Sequence, residues 1–74
     1  MSDERIAEVV SELGAIVERL DEIAFDALRE AVAQGSTSRP ALERRAVRAR
    51  NAIERARRVL QSDDEKEGDD SEAP

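Results

Sequence analysis

The side chains best equipped for chemistry in this chain are arginines. Eight of them, at positions 39, 44, 45, 48, 50, 55, 57 and 58, fall between residues 35 and 60, where Glu43 and Glu54 are the only carboxylates. A guanidinium is a planar fork of N–H donors, charged at every accessible pH and shaped to grip a carboxylate or a phosphate through two bonds at once. Drawn as a helix whose inner line is Leu42, Ala46, Ala49, Ile53, Ala56 and Leu60, the segment splits its arginines into two sets. Arg45, Arg50 and Arg57 flank the inner line and are predicted to pair with acids such as Glu12, Asp21, Glu22 and Asp26. Arg44, Arg48, Arg55 and Arg58 lie on the outer side, where they could hold phosphates or an acidic protein surface. No base-reading motif accompanies them, so nucleic-acid contact would be with the backbone and without sequence readout.

The carboxylates offer less. Asp63, Glu65 and Glu67 precede Gly68 at the offsets of a calcium loop, but the position of the bidentate twelfth ligand holds Pro74, so no metal site is predicted. Adjacent acids such as Asp21 and Glu22, or Asp63 and Asp64, point in different directions on a helix and have no base or nucleophile beside them. The chain has no histidine, cysteine, tryptophan or tyrosine, and Phe25 is its one aromatic residue. Histidine triads, thiolate zinc sites and disulfides are thereby excluded, as are the aromatic platforms on which single-stranded bases stack. The expectation is a protein that is not an enzyme, with no catalytic residues, no cofactor and no small-molecule substrate.

The elements that carry these residues follow from apolar spacing. Ile6, Val10, Leu13, Val17, Leu20, Ala24, Ala27 and Ala31 recur in alternating steps of four and three, the signature of a helix with one buried stripe. Ser2 or Asp3 is placed to cap it, with Asp3 and Glu4 at the positive end of its dipole. Gly35 marks its end, because a helix often closes on a left-handed residue that glycine adopts without strain. Ser36, Thr37 and Ser38 make the turn, Ser38 or a neighbour is expected to cap, and Pro40 suits a first helical turn. The predicted organisation is a helix over about 3–34, a turn over 35–39, a helix over about 40–61, and an acidic tail over 62–74 with nothing to bury. Gly14, inside the first helix, either permits a close crossing or is tolerated on the surface at a cost of about 1 kcal/mol.

Charge divides along the same lines. Residues 1–34 carry nine acids against Arg5, Arg19 and Arg29, a net of −6; residues 35–60 carry +6; and the last fourteen carry seven acids against Lys66, again −6. An acidic helix beside a basic one predicts an all-α fold, a two-helix antiparallel hairpin with a disordered acidic tail. The tail is expected to solubilise the chain, and a sharper alternative has it screen the outer arginines from phosphate.

Two flanking rows, Val9, Ile16 and Ile23 on one side and Phe25, Leu28 and Val32 on the other, make the first helix too broadly apolar for a single partner helix to cover. A chain of this length draws only about 3–5 kcal/mol from a lone core. Those six residues are therefore the candidate interface, and two hairpins packing through them into a four-helix bundle is the favoured arrangement. The expected function is a protein-interaction or oligomerisation module whose partner is a second copy or a larger protein. A phosphate-binding regulatory protein working through Arg44, Arg48, Arg55 and Arg58 is the alternative. With no signal-like start and no apolar run near 20 residues, the expectation is a cytoplasmic chain without membrane contact.

Overall fold

The computed structural model describes residues 3–62, so the expectations placed on Ser2 and on the acidic segment from Asp63 onward lie outside the described residues. Among those residues the fold is all-helical, with no strands. Helix α1 spans Glu4–Ala33 and helix α2 spans Ala41–Gln61, and the two pack against each other.

Local chemistry sets each end. Asp3 is the N-cap of α1, its carboxylate accepting from the Arg5 backbone N–H at 2.9 Å. The Arg5 side chain, and then that backbone bond, hold the Asp3 carboxyl below its ordinary pKa. At the other end Gly35 sits at φ 84°, the Ser36 N–H reaches the Ala31 carbonyl at 2.9 Å, and the Gly35 N–H reaches the Val32 carbonyl at 3.0 Å. That paired closure satisfies carbonyls the helix would otherwise leave open and reverses the chain. Pro40 is the N-cap of α2 rather than its first helical residue, with an extended ψ of 152° and no side-chain cap bond. Ser38 does not cap; its N–H donates to the Ser36 hydroxyl at 3.3 Å, which tightens the turn instead. The start of α2 is fastened from outside the helix: Arg39 donates to both Glu43 carboxylate oxygens, at 2.7 and 3.2 Å, and Glu43 is buried.

Between the helices the buried apolar residues, among those described, are Val17, Ala24 and Ala46. Val10, Leu13, Leu20, Ala27, Leu28 and Ala31 of α1, with Val47, Ile53 and Leu60 of α2, are half-buried around them. Asp21 against Arg50 and Gly14 against Arg57 set the antiparallel register. By that register residues 4–9 of α1 run past the end of α2, which leaves Ile6 more exposed than its place on the buried stripe implies.

The inner face of α2 differs from the line that apolar spacing predicts. Residues 43, 46, 47, 50, 53, 54, 57 and 60 face inward, while Leu42, Ala49 and Ala56 are exposed, a rotation of roughly 70° at 100° per residue. The reason is the length of the arginine side chain. Arg50 and Arg57 are half-buried on this inner face, and the Arg57 guanidinium itself lies against Gly14 of α1 with its Nε buried. Sequence patterning counts such residues as polar, although a long arginine side chain can cover apolar surface.

Replacing Gly35 by alanine forces a Cβ into the left-handed region and should destabilise the hairpin by about 1–2 kcal/mol, read as a lower urea midpoint with unchanged slope.

Candidate interaction surfaces

An antiparallel pair of helices has two broad faces, and the contents of these two differ. One is polar and ionic. Ser11, Gly14, Glu18 and Asp21 of α1 line it with Arg50, Glu54 and Arg57 of α2. Arg50 Nε donates to Asp21 Oδ1 at 2.9 Å, the one ion pair between the helices among the described residues. Arg57 turns to its own helix, its Nη1 donating to both oxygens of Glu54 at 3.1 and 2.9 Å. The expected bridge from Arg57 to α1 is therefore not made, because Glu54 is one turn away and already ordered. Arg57 Nε lies buried without a hydrogen-bond partner. Its guanidinium covers Gly14, where an added Cβ would meet it at 3.5 Å, an ordinary contact.

The other broad face is apolar. Val9, Ile16 and Ile23 stand on α1 about 85° to one side of its buried line, and Leu42, Ala49 and Ala56 stand on α2 about 90° to one side of its own. Because the helices run in opposite directions, both displacements fall on the same face, away from Glu18, Asp21 and Glu54. All six residues are exposed, Ile16 at 37% and Ile23 at 43%. The row on α1 was legible as an unburied stripe. Its continuation on α2 was hidden, because those residues had been assigned to the core.

Phe25, Leu28 and Val32 do not join this face. They lie on the polar side near the C-terminal end of α1, where with Asp26 and Arg29 they line a shallow open groove. Phe25 is 60% exposed, and the Arg29 guanidinium caps its ring at 5.6 Å, a contact that covers part of the aromatic surface from water. Leu28 is half-buried.

The arginines of α2 also separate. Arg39, Arg50 and Arg57 are in ion pairs, and Arg44 donates to the Arg39 carbonyl at 2.7 Å. Arg45, Arg48, Arg55 and Arg58 are exposed and in no ion pair within the described residues. Arg44, Arg48 and Arg55 share the edge of α2 that points away from α1. The pairing expected of Arg45 with an acid of α1 in the same chain is not made, because its side chain stands on the far side of α2 from that helix.

Among the described residues no group of three or more histidine, cysteine, aspartate or glutamate side chains could hold a metal ion. None of the described helices is long and apolar enough to cross a membrane. Comparisons with protein families, curated proteins and solved structures find no match, so the geometry of these surfaces is the ground for a functional reading.

Gly14→Ala should stabilise the fold by up to about 1 kcal/mol, since the helix gains propensity and the Arg57 side chain already stands at contact distance. Lying on the polar face, the change should leave the solution mass of the wild-type protein unaltered, as light scattering would show.

Proposed function

We propose that this chain is a non-enzymatic helical interaction module that self-associates, two hairpins closing into a four-helix bundle. The supporting observation is the two-helix apolar face: Val9, Ile16 and Ile23 of α1 lie on one side of the hairpin with Leu42, Ala49 and Ala56 of α2. A single amphipathic helix often carries a stray apolar side chain at its flank, and such residues need no explanation. Two helices that each carry a row, brought to the same face by the antiparallel turn, form a continuous surface. Ser11, Glu18, Asp21, Arg50, Glu54 and Arg57 lie on the opposite face.

Energetics point the same way. Among the described residues the monomer buries only Val17, Ala24 and Ala46 of its apolar side chains, and two alanines and a valine supply little against a conformational cost of about 1.5 kcal/mol per ordered residue. Covering the exposed isoleucines removes apolar surface from water at roughly 25 cal/mol per Å². Folding of the hairpin is then coupled to association, as in dimers whose protomers have little stability alone.

A second reading rests on Arg44, Arg48 and Arg55 along the outer edge of α2, with Arg58 beside them. They could hold a phosphate backbone while the apolar face is occupied by a second copy. Bound phosphates release counterions, and four contacts imply a loss of about two orders of magnitude in affinity between 50 and 200 mM salt.

The test of self-association is the mass by light scattering on a sizing column. The wild-type chain should run at twice its 8.2 kDa, Ile16→Asp should run as a monomer, and the thermal midpoint of the wild type should rise with protein concentration. A folded wild-type monomer with a concentration-independent midpoint would overturn the reading. For the second reading, duplex DNA binding should weaken with salt by the stated factor and vanish when Arg44, Arg48, Arg55 and Arg58 are all changed to glutamine. Binding that survives those changes would rule it out.

A further inference from the structure

Two twofold arrangements place the apolar faces of two hairpins together. In one the axis runs across the helices, so that α1 covers the partner's α1 and α2 covers the partner's α2. In the other the axis runs along the helices, so that each α1 covers the partner's α2. Building on the proposed self-association, we infer that the dimer takes the second, crossed arrangement, in which Ile16 and Ile23 of one chain seat on Ala56 and Ala49 of the other.

Charge is the first reason. Helix α1 carries eight acids against three arginines, a net of −5, and α2 carries seven arginines against two acids, a net of +5. Stacking like on like sets −5 against −5 and +5 against +5 along the whole contact. The crossed arrangement makes every neighbouring pair in the bundle acidic against basic, as well as antiparallel. Repulsion between like-charged rows is a common device for excluding an alternative packing.

Side-chain volume is an independent reason. The apolar row of α1 is β-branched, with Val9, Ile16 and Ile23, whereas two of the three residues in the row on α2 are alanines, Ala49 and Ala56. Large side chains facing small ones interdigitate at native density, while an isoleucine row against its own copy crowds and an alanine row against its own copy leaves a gap unless the helices close in.

Register is the third. Within one hairpin the contacts of Asp21 with Arg50 and of Gly14 with Arg57 place residue i of α1 level with residue 71 − i of α2. An axis along the helices preserves those levels, so Ile16 stands within one residue of the level of the partner's Ala56, and Ile23 within one residue of the partner's Ala49.

The chain has no cysteine, so introduced thiols report only on each other. Ile16→Cys chains mixed with Ala56→Cys chains should form the mixed disulfide under mild oxidation, because facing positions fall within the roughly 7 Å between Cα atoms that a disulfide spans. Neither variant should cross-link to itself, since equivalent helices lie across the diagonal of the bundle. In parallel, the dimer dissociation constant should rise with salt, because the crossed contact sets the acidic α1 against the basic α2. A dimer of verified mass that gives no Ile16–Ala56 link, or that links Ile16→Cys chains to Ile23→Cys chains instead, would overturn the crossed arrangement and leave self-association standing. A wild-type chain that is monomeric by scattering would remove both.

Discussion

Two helices lying side by side touch along one line each, and that geometry governs the rest of the molecule. The smallest Cα extent is 9 Å, so the hairpin is one helix thick throughout. A plate of that thickness has no interior beyond its single contact line, and Val17, Ala24 and Ala46 already occupy it. Alanine at two of these three places lets the backbones approach, which shortens the interhelical distance but also limits the apolar area that any one residue can bury. Whatever else the sequence offers in apolar side chains must then lie on the broad faces, and their distribution between those faces decides whether the hairpin is an end point or a component.

Here the loop contributes as much as the helices. The sense in which a residue row is displaced from the contact line becomes a position in space only once the chain has reversed. Gly35, with its left-handed φ and the closure from Ser36 to Ala31, delivers the reversal in a few residues and fixes α2 antiparallel to α1. Glu43, buried under the Arg39 guanidinium, then pins the first turn of α2. A longer or looser connection would let α2 rotate about its own axis, and the apolar rows would no longer coincide on one face.

The helices and the turn were legible because each rests on a local rule: apolar recurrence for α1, glycine for its end, proline before α2. The facing of α2 was not legible, and Arg50 and Arg57 explain why. Patterning treats arginine as outward, yet both are half-buried, with side-chain exposures of 32% and 27%. They take inward positions on α2 that Ala49 and Ala56 were expected to hold. The same exchange explains the fate of the candidate interface. Val9, Ile16 and Ile23 were identified from α1 alone, but the three residues of α2 that extend the face were read as core. Phe25 and Val32, grouped with Leu28 by spacing, belong to the opposite side and are partly capped by Arg29.

Segregated charge then takes on a meaning that the hairpin alone does not give it. If the opposition of α1 and α2 existed to hold one hairpin closed, interhelical ion pairs should line the contact, yet Asp21 with Arg50 is the one present among the described residues. Arg39, Arg57 and Arg5 pair within a few residues of themselves, so those contacts do not join one helix to the other. Opposite net charges on two helices act over distances of about a Debye length, 8–10 Å, which is also the spacing of neighbouring helices in a bundle. A hairpin has one such neighbouring contact. The crossed four-helix bundle proposed above would have four, all between unlike helices, so the same charge distribution would act several times over and would penalise the competing like-on-like packing. Charge of this pattern specifies which surfaces meet more than it holds any one pair together.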